Sequence, residues 1–327
     1  MKIELRHGSG GEETGRLIAG LFARHFRNPV LDRMEDGAVL PALDGNPVLT
    51  SDSFVVEPLF FPGGDIGRLS ICGTVNDLSC MGAKPLYLTA SFILETGLDT
   101  DLLEAVVRSM AETAAEAGVR IVAGDTKVIE GRGGLYINTA GLGVRPRDSR
   151  IGAANLQAGD ALLVTGNLGD HHAVILTRRL HMETDLRSDC APLNGLVANL
   201  LQHGLDIHAL RDITRGGLAT VANELAAASA KSLVFSEAAL PVSRQVRDLS
   251  GILGLDPLTM GNEGNLLISL PAAQAETALA LLHRHPYGKH AALAGKVEEG
   301  QGVHLETVYG AMRKLLPLRG EGLPRIC

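Results

Sequence analysis

A polar, proline-containing segment divides the chain into two halves, each of which alternates between strand and helix patterns. This division constrains the fold more than any other feature of the sequence. The segment reads Arg145-Pro-Arg-Asp-Ser-Arg150, and its composition predicts a linker between about residues 145 and 158. The chain of 327 residues is long enough for two domains. We therefore predict a first domain over 1–148, a second over 149–317 and a tail over 318–327.

Local patterns in the first half predict an α+β domain. The clearest helix spans Asp99–Ala117, where Leu102 and Val106 begin an apolar repeat of four residues and Gly118 ends the helix. Other segments are predicted as strands over 47–56, 86–94, 119–123 and 135–144, and as a buried helix over 63–82. The residues Gly124–Lys127 are predicted to form a turn after the third of these strands.

The second half predicts a mixed α/β domain. Gly216 and Gly217 precede a predicted helix, and a helix N-terminus is a natural site for an anion. Glu263 lies in a polar turn with glycines on both sides. His171 and His172 are adjacent, so they do not share a helix face, and we expect both on the surface rather than in a metal site.

Composition excludes several classes of protein. The net charge is −7, and no basic stripe or ladder of aromatic residues is present, so nucleic-acid binding is not expected. No apolar run approaches about 18 residues, and the N-terminus does not resemble a signal peptide. The four cysteines show no regular spacing, which fits a reducing cytoplasm. Cys72 and Cys80 lie in apolar surroundings and are expected to be buried.

Four acidic residues lie at predicted strand ends or beside glycines, namely Asp52, Asp77, Asp125 and Asp212. Each one alone could cap a turn or a helix. Together, their carboxylates suit Mg²⁺ bound with nucleotide phosphates, because hard cations prefer oxygen ligands. Lys127 follows Asp125 closely and is either an ordinary solvated lysine or a contact to phosphate.

A glycine-rich stretch near the N-terminus reads His7-Gly-Ser-Gly-Gly-Glu12. It lacks the lysine of a P-loop. Two interpretations remain open for Gly10 and Gly11: a flexible loop before a helix, or a flap whose backbone N–H groups contact phosphate.

The last ten residues predict an extended, mobile arm, because Pro317, Gly320, Gly322 and Pro324 do not support a helix or an interior strand. Fully extended, ten residues would reach roughly 33–36 Å. The chain ends at Cys327, so such an arm could carry a thiol into a distant cleft. The alternative is a frayed terminus that ends in cysteine by chance.

Several motifs, taken together, resemble one family. They are Thr50-Ser-Asp-Ser-Phe54, Gly73-Thr-Val-Asn-Asp-Leu78, Ala123-Gly-Asp-Thr-Lys127, Asn138-Thr-Ala-Gly141, Asp212-Ile-Thr-Arg-Gly-Gly217, Gly261-Asn-Glu-Gly-Asn265 and the tail Pro324-Arg-Ile-Cys327. The sequence resembles the HypE family of hydrogenase maturation factors. That family belongs to the PurM-like ATP-binding superfamily, which includes aminoimidazole ribonucleotide synthetase. The aspartate motifs are shared across the superfamily, whereas the terminal cysteine is specific to HypE.

The resemblance implies a two-domain PurM-like fold, with an α+β first domain and an α/β second domain. The mixed sheet of the first domain would bind ATP and pair with its twin to form a homodimer. Asp52, Asp77, Asp125 and Asp212 match positions that hold Mg²⁺ and phosphates. Nucleotide contacts are also expected from Asn138, Gly10 and Gly11.

The resemblance also implies a reaction. The carbamoyltransferase HypF would load a carbamoyl group onto Cys327, and ATP-dependent dehydration would convert it to a thiocyanate. The product would supply cyanide for the iron of [NiFe]-hydrogenase through the HypC–HypD complex. Glu263 is the candidate base and Lys127 its rival. Two alternatives are a small-molecule kinase or synthetase, such as a thiamine-phosphate kinase or a selenophosphate synthetase, and a non-catalytic maturation scaffold.

Overall fold

The computed structural model describes residues 1–320 and 322–327, and it contains two principal β-sheets with helices packed on them. Glu321, within the predicted tail, lies outside the described residues. The helices are α1 (Glu12–Leu17, continued by a π-helical segment Ile18–Ala23), α2 (Ile66–Cys80), α3 (Thr100–Ala117), α4 (Asp170–Arg179), α5 (Asn194–Gln202), α6 (Gly217–Ser229), α7 (Arg244–Leu253) and α8 (Ala275–Arg284). The strands are β1 (Asn46–Phe54), β2 (Phe60–Phe61), β3 (Gly64–Asp65), β4 (Lys84–Glu95), β5 (Arg120–Ile129), β6 (Leu135–Arg145), β7 (Asp160–Val164), β8 (Ala209–Asp212), β9 (Ser232–Ser236), β10 (Leu266–Pro271), β11 (Ala292–Glu298), β12 (Gly302–Glu306) and β13 (Met312–Lys314).

The first sheet has four strands in the order β1-β6-β4-β5. Only β4 and β5 are parallel, and α3 connects them. One face packs on α2 and α3 around a buried core that includes Phe54, Leu69 and Phe92. On the opposite face the side chains of Leu49 and Ile93 are 76% and 44% exposed.

Helix α3 forms as the sequence predicts. Asp99 caps its first turn by accepting a hydrogen bond from the backbone of Asp101. Gly118 ends it in the left-handed region, with φ of 70°. Between these ends Leu103, Val106 and Met110 are buried on one side, which fixes the helix against the sheet, whereas Leu102, the first residue of the predicted repeat, is 46% exposed.

The predicted turn over Gly124–Lys127 is wrong, because β5 continues through these residues to Ile129. Parallel pairing with β4 extends along the whole segment and places Asp125 opposite Ser91. Gly124 is required by the closeness of the two strands rather than by a turn. A Cβ atom there would lie 2.3 Å from the carbonyl oxygen of Ala90.

The second sheet has seven strands in the order β13-β12-β9-β11-β7-β10-β8. Helix α6 packs on one face, and α5 and α8 pack on the other. The connection from β6 to β7, which joins the two sheets, is irregular apart from a short 3-10 turn at Ala153–Asn155. No helix within residues 1–320 and 322–327 is long and apolar enough to cross a membrane.

Two helices of the second half, α4 and α7, pack against the core of the first half. Val174 and Val246 belong to the same buried cluster as Phe54, and so does Ile326 from the tail. The two halves therefore share one core at their junction, and the tail contributes to it.

Candidate active site

A cavity of about 650 Å³ lies where the two halves meet. Its chemically distinctive lining residues come from β1, α2, the end of β8 and the segment after it, the polar turn before β10, and the last residue of the chain. They are Thr50, Asp52, Asp77, Asp212, Arg215, Glu263 and Cys327. Both sheets thus contribute acidic residues to one space.

Asp52 and Asp77 approach the cavity from the first half. Strand alternation directs Asp52 toward α2, where its carboxylate accepts a hydrogen bond of 3.1 Å from Thr74. Asp77, on α2, accepts one of 2.7 Å from Thr50. Burial, and then the negative charge of Asp77, raises the pKa of Asp52.

Asp212 approaches from the second half, at the end of β8. Burial, and then the charge of Asp77, raises the pKa of Asp212 to about 7. Within the described ranges, no group of three His, Cys, Asp or Glu residues is already close enough to hold a metal ion. Converging carboxylates that destabilise one another nonetheless fit a hard divalent cation, which would take its remaining ligands from phosphate or water.

The polar turn 261–265 is held by side chains on its flanks. Asn262 accepts a hydrogen bond of 2.8 Å from the backbone of Gly169. Asp189 accepts bonds of 3.0 and 3.2 Å from the backbone N–H groups of Glu263 and Gly264. Gly264 is necessary here, because a Cβ atom would lie 1.8 Å from the carbonyl oxygen of Asp189.

The Glu263 carboxyl is therefore fixed in a buried position, with 5% of the residue exposed. Burial, and then the charge of Asp189, raises the pKa of Glu263. A carboxylate with a raised pKa is a stronger base than an ordinary one, so this residue suits proton transfer.

The described part of the tail is docked rather than free. Ile326 is buried, and Leu323 and Cys327 pack beside it against the core of the first half. The Cys327 thiol lies beside Glu263 in the cavity and faces Asp52 and Arg215. Burial, and then the charge of Glu263, raises the pKa of Cys327, so the docked thiol is protonated at neutral pH.

The structure leaves some predicted site residues outside this cavity. Asp125 and Asn138 stand in one row across the first sheet, on the face opposite to Asp52. Asn138 donates hydrogen bonds to the carbonyl oxygen of Asp52 and to Ser53. Lys127 forms an exposed ion pair of 2.6 Å with Asp125. In the single chain, then, neither member of that pair joins Asp52, Asp77 and Asp212.

The glycine-rich N-terminal stretch also lies away from the cavity. It crosses β5, where a Cβ atom on Gly8 would lie 2.7 Å from the backbone nitrogen of Val128. Gly10 has φ of 82°, and its N–H bonds to Thr14 in the first turn of α1. Gly11 precedes that helix directly. These glycines are therefore on the same side of the molecule as β5.

The surface placement expected for the two histidines is wrong. His171 is completely buried, and His172 is half-buried beside Gly261. The reason is that α4 packs between the tail and the β2–β3 hairpin, and the ring of His171 makes an edge contact with Phe61. Sequence analysis also missed Arg179 and Asp189, whose partners lie far away along the chain.

The fold and cavity define a class of two-domain proteins. Residues 34–145 match the family model "AIR synthase related protein, N-terminal domain", and residues 157–308 match "AIR synthase related protein, C-terminal domain". The carbamoyl dehydratase HypE of Escherichia coli strain K12 is 50% identical, over 99% of both chains. The chain belongs to the HypE family, which confirms the resemblance seen in its motifs.

Solved structures give the same assignment. A crystal structure of the hydrogenase maturation protein HypE in complex with ATP has a TM-score of 0.95 and 47% identity, over 99% of both chains. A HypE–HypF complex structure matches 92% of this chain and 99% of that one, with 44% identity and a TM-score of 0.81. A thiamine-monophosphate kinase of Stenotrophomonas maltophilia shares the fold, with a TM-score of 0.70 over 89% of this chain and 95% of that one, but it is only 23% identical. The predicted two-domain PurM-like fold is thus confirmed.

Proposed function

We propose that this protein is an ATP-dependent carbamoyl dehydratase that acts on its own C-terminal cysteine. It would convert an S-carbamoyl group on Cys327 into a thiocyanate, which supplies cyanide for the iron of [NiFe]-hydrogenase. One observation supports the proposal above others: the side chain of the last residue lies inside a cavity, beside a buried glutamate and opposite aspartates. The relatives named carbamoyl dehydratase align over nearly their whole length with this chain.

The reaction requires an oxygen to leave the carbon of S–C(=O)–NH₂. ATP supplies a phosphoryl group for that oxygen, which then departs as phosphate. One N–H proton is removed as the C–O–P linkage forms, and the second is removed as the C–O bond breaks and C≡N forms. The remaining task for the protein is to place the carbamoyl group beside a base, away from bulk water.

Glu263 is the base that the geometry favours. It is buried and lies beside the side chain that would carry the substrate. Lys127, the rival, lies on the other face of the first sheet and is paired with Asp125. To act as the base, Lys127 would have to approach the carbamoyl group from outside this cavity. Arg215 lines the cavity beside Cys327 and offers a positive charge to the departing phosphate.

Mg²⁺ would be held by Asp52, Asp77 and Asp212, because they face one cavity and their charges repel one another. It would neutralise the charge that develops on the transferred phosphoryl group. Asp125, Lys127, Asn138, Gly10 and Gly11 remain proposed as nucleotide contacts. Their position suits a nucleotide bound near the open face of the first sheet.

That open face also suggests a homodimer. Leu49 and Ile93 are exposed on it, and a second copy of the same face would bury them. In such a dimer the Asp125 face would border the site between two chains. We further propose a cytoplasmic protein that receives its carbamoyl group from HypF and passes cyanide to the HypC–HypD complex. A HypE–HypF complex is known for a relative.

Intact mass spectrometry tests the proposal. The protein is incubated with carbamoyl phosphate, ATP, Mg²⁺ and the partner transferase. Carbamoylation should add about 43 Da to the Cys327 peptide, and dehydration should leave it about 25 Da above the free thiol. The variant Cys327→Ala should acquire neither mass. ATP turnover with no change at Cys327 would contradict the dehydratase proposal and favour a small-molecule kinase. Absence of ATP binding would favour a scaffold.

A further inference from the structure

We propose that Arg179 and His171 are positioning residues that hold the docked tail by its main chain and thereby place Cys327 against Glu263. Together with Glu57 they form what we call the tail clamp. The predicted effect on dehydration rests on the proposed function, whereas the docking of the tail follows from its hydrogen bonds alone.

Arg179, the last residue of α4, binds the tail through its guanidinium group. Nη1 donates a hydrogen bond of 2.6 Å to the carbonyl oxygen of Pro324, and Nη2 donates one to the carbonyl oxygen of Arg325. Nε donates a bond of 2.8 Å to the carbonyl oxygen of Glu57. One side chain therefore joins the tail to the segment that follows β1, and the planar guanidinium suits this multiple contact.

His171 binds the next peptide of the tail. Its Nε2 lies 2.8 Å from the carbonyl oxygen of Ile326, which can only accept a hydrogen bond, so Nε2 carries the proton. Nδ1 must then accept from the Ser188 hydroxyl at 2.7 Å. The Ser188 oxygen in turn accepts from the backbone of Cys190 at 3.1 Å. This chain of donors fixes one neutral tautomer and the orientation of the ring.

Glu57 completes the clamp from the first half of the molecule. Its backbone N–H donates to the carbonyl oxygen of Arg325 at 3.1 Å, and its carboxylate forms an ion pair of 2.6 Å with the Arg325 side chain. Arg325 has φ of 51°, in the left-handed region. A non-glycine residue adopts this conformation at a cost, so contacts around it must stabilise it.

The clamp has opposite consequences for the two half-reactions. Carbamoyl transfer requires the partner enzyme to reach the Cys327 thiol, and the docked residue is partly buried and faces into the cavity. Dehydration requires the modified cysteine to return to Glu263. A weaker clamp should therefore speed carbamoyl loading and slow dehydration. A variant that merely damages the fold would slow both.

The test compares Arg179→Gln with Arg178→Gln, a neighbour on the same helix whose side chain is exposed. The first measurement is the rate at which dithionitrobenzoate labels Cys327, located by peptide mass; Cys72, Cys80 and Cys190 are buried internal references. We expect Arg179→Gln to label about 10-fold faster than the control, because charge-assisted hydrogen bonds to the tail are lost. The second measurement is the rate of each half-reaction in the complete system.

His171 is tested by a conservative pair. His171→Gln retains an N–H donor at a similar distance from the backbone, whereas His171→Leu retains volume but no donor. We expect the His171→Gln variant to dehydrate at close to the wild-type rate and the His171→Leu variant to dehydrate more slowly.

Equal labelling of Arg179→Gln and Arg178→Gln would overturn the clamp. Faster labelling with unchanged dehydration would overturn the positioning role. If the unaltered protein never forms thiocyanate, the proposed function fails, and labelling still decides whether the clamp holds the tail.

Discussion

Cys327 and Glu263 lie beside each other in the cavity, and their interaction shifts the pKa values of the two groups in opposite directions. Burial raises the pKa of both. The neighbouring carboxyl adds to the rise in the pKa of the thiol, whereas the thiol opposes the rise in the pKa of the carboxyl. The docked cysteine is therefore a poor nucleophile but is well placed as a carrier of substrate, and the glutamate is available for protons that leave the carried group.

Removing this base should stop the reaction after loading. In Glu263→Gln we expect carbamoyl transfer to continue and dehydration to fall by about 10²–10⁴-fold, the usual contribution of a general base. The measurement is a time course of the Cys327 peptide mass, in which the carbamoylated form should accumulate. Glu224→Gln is the matched control, since Glu224 lines the same cavity but is paired with Arg211 at 2.9 Å. Thiocyanate formation at the control rate would show that another residue is the base.

Loss of a proposed cation ligand should raise the requirement for Mg²⁺. In Asp77→Asn we expect half-maximal dehydration at an Mg²⁺ concentration about 10-fold higher, equivalent to about 1.4 kcal/mol of binding free energy. A titration of activity and of thermal stability against Mg²⁺ measures the change. Asp44→Asn serves as the control, because Asp44 is exposed and has only a weak ion pair with Arg147 at 3.5 Å. If both variants respond to Mg²⁺ alike, Asp77 is not a ligand.

Asp212 should make the metal-free protein less stable as pH rises. Its pKa is about 7 in the folded chain and 3.8 as the ordinary value, so folding resists ionisation across that interval. The stabilisation present below pH 4 is lost as pH rises through 7. Asn cannot ionise, so Asp212→Asn should be more stable than wild type by about 1–3 kcal/mol at pH 8, after allowance for partial solvent screening.

Thermal unfolding at pH 4 to 8, without divalent cations, measures that difference. It should shrink toward pH 4, where both proteins carry a neutral side chain at this position. A difference that is constant with pH would mean that Asp212 ionises normally in the folded protein.

The backbone of the polar turn should tolerate no side chain at Gly264. Gly264→Ala places a Cβ atom against the backbone of Asp189, so we expect a loss of about 2–4 kcal/mol in the free energy of unfolding, or a displaced Glu263. Gly251→Ala is the control, since it lies inside α7 and its Cβ atom would meet nothing within 4 Å. That variant should gain about 0.5–1 kcal/mol from helix propensity. Denaturant unfolding of the two variants decides the matter; similar stabilities would contradict the close contact.

Local chemistry explains which parts of the fold the sequence predicts. Helix α3 carries its own start and stop in Asp99 and Gly118, and its apolar spacing identifies the buried side except at Leu102, which is exposed. The predicted turn at Gly124 failed because glycine is common in turns, whereas here it permits close approach to Ala90. That approach depends on pairing between strands that are separated by a whole helix.

The site was predictable only in part, for a similar reason. Asp52, Asp77, Asp212, Glu263 and Cys327 each belong to a recognisable motif, and the structure brings all five to one cavity. Asp125 and Lys127 also lie in a motif, but strand alternation directs them to the other face. Arg179 and His171 have no local signature at all. Their partners are carbonyl groups about 150 positions away, and any residue can supply a carbonyl.

Because the groups bound by Arg179 and His171 are successive main-chain carbonyls of Pro324, Arg325 and Ile326, the clamp fixes how many residues separate it from Cys327. Insertion or deletion of a single residue before Cys327 would move the thiol along the cavity by about 3.5 Å. The number of residues between the clamp and Cys327 is therefore constrained together with their identity, because one carbonyl group too many or too few would misplace the thiol.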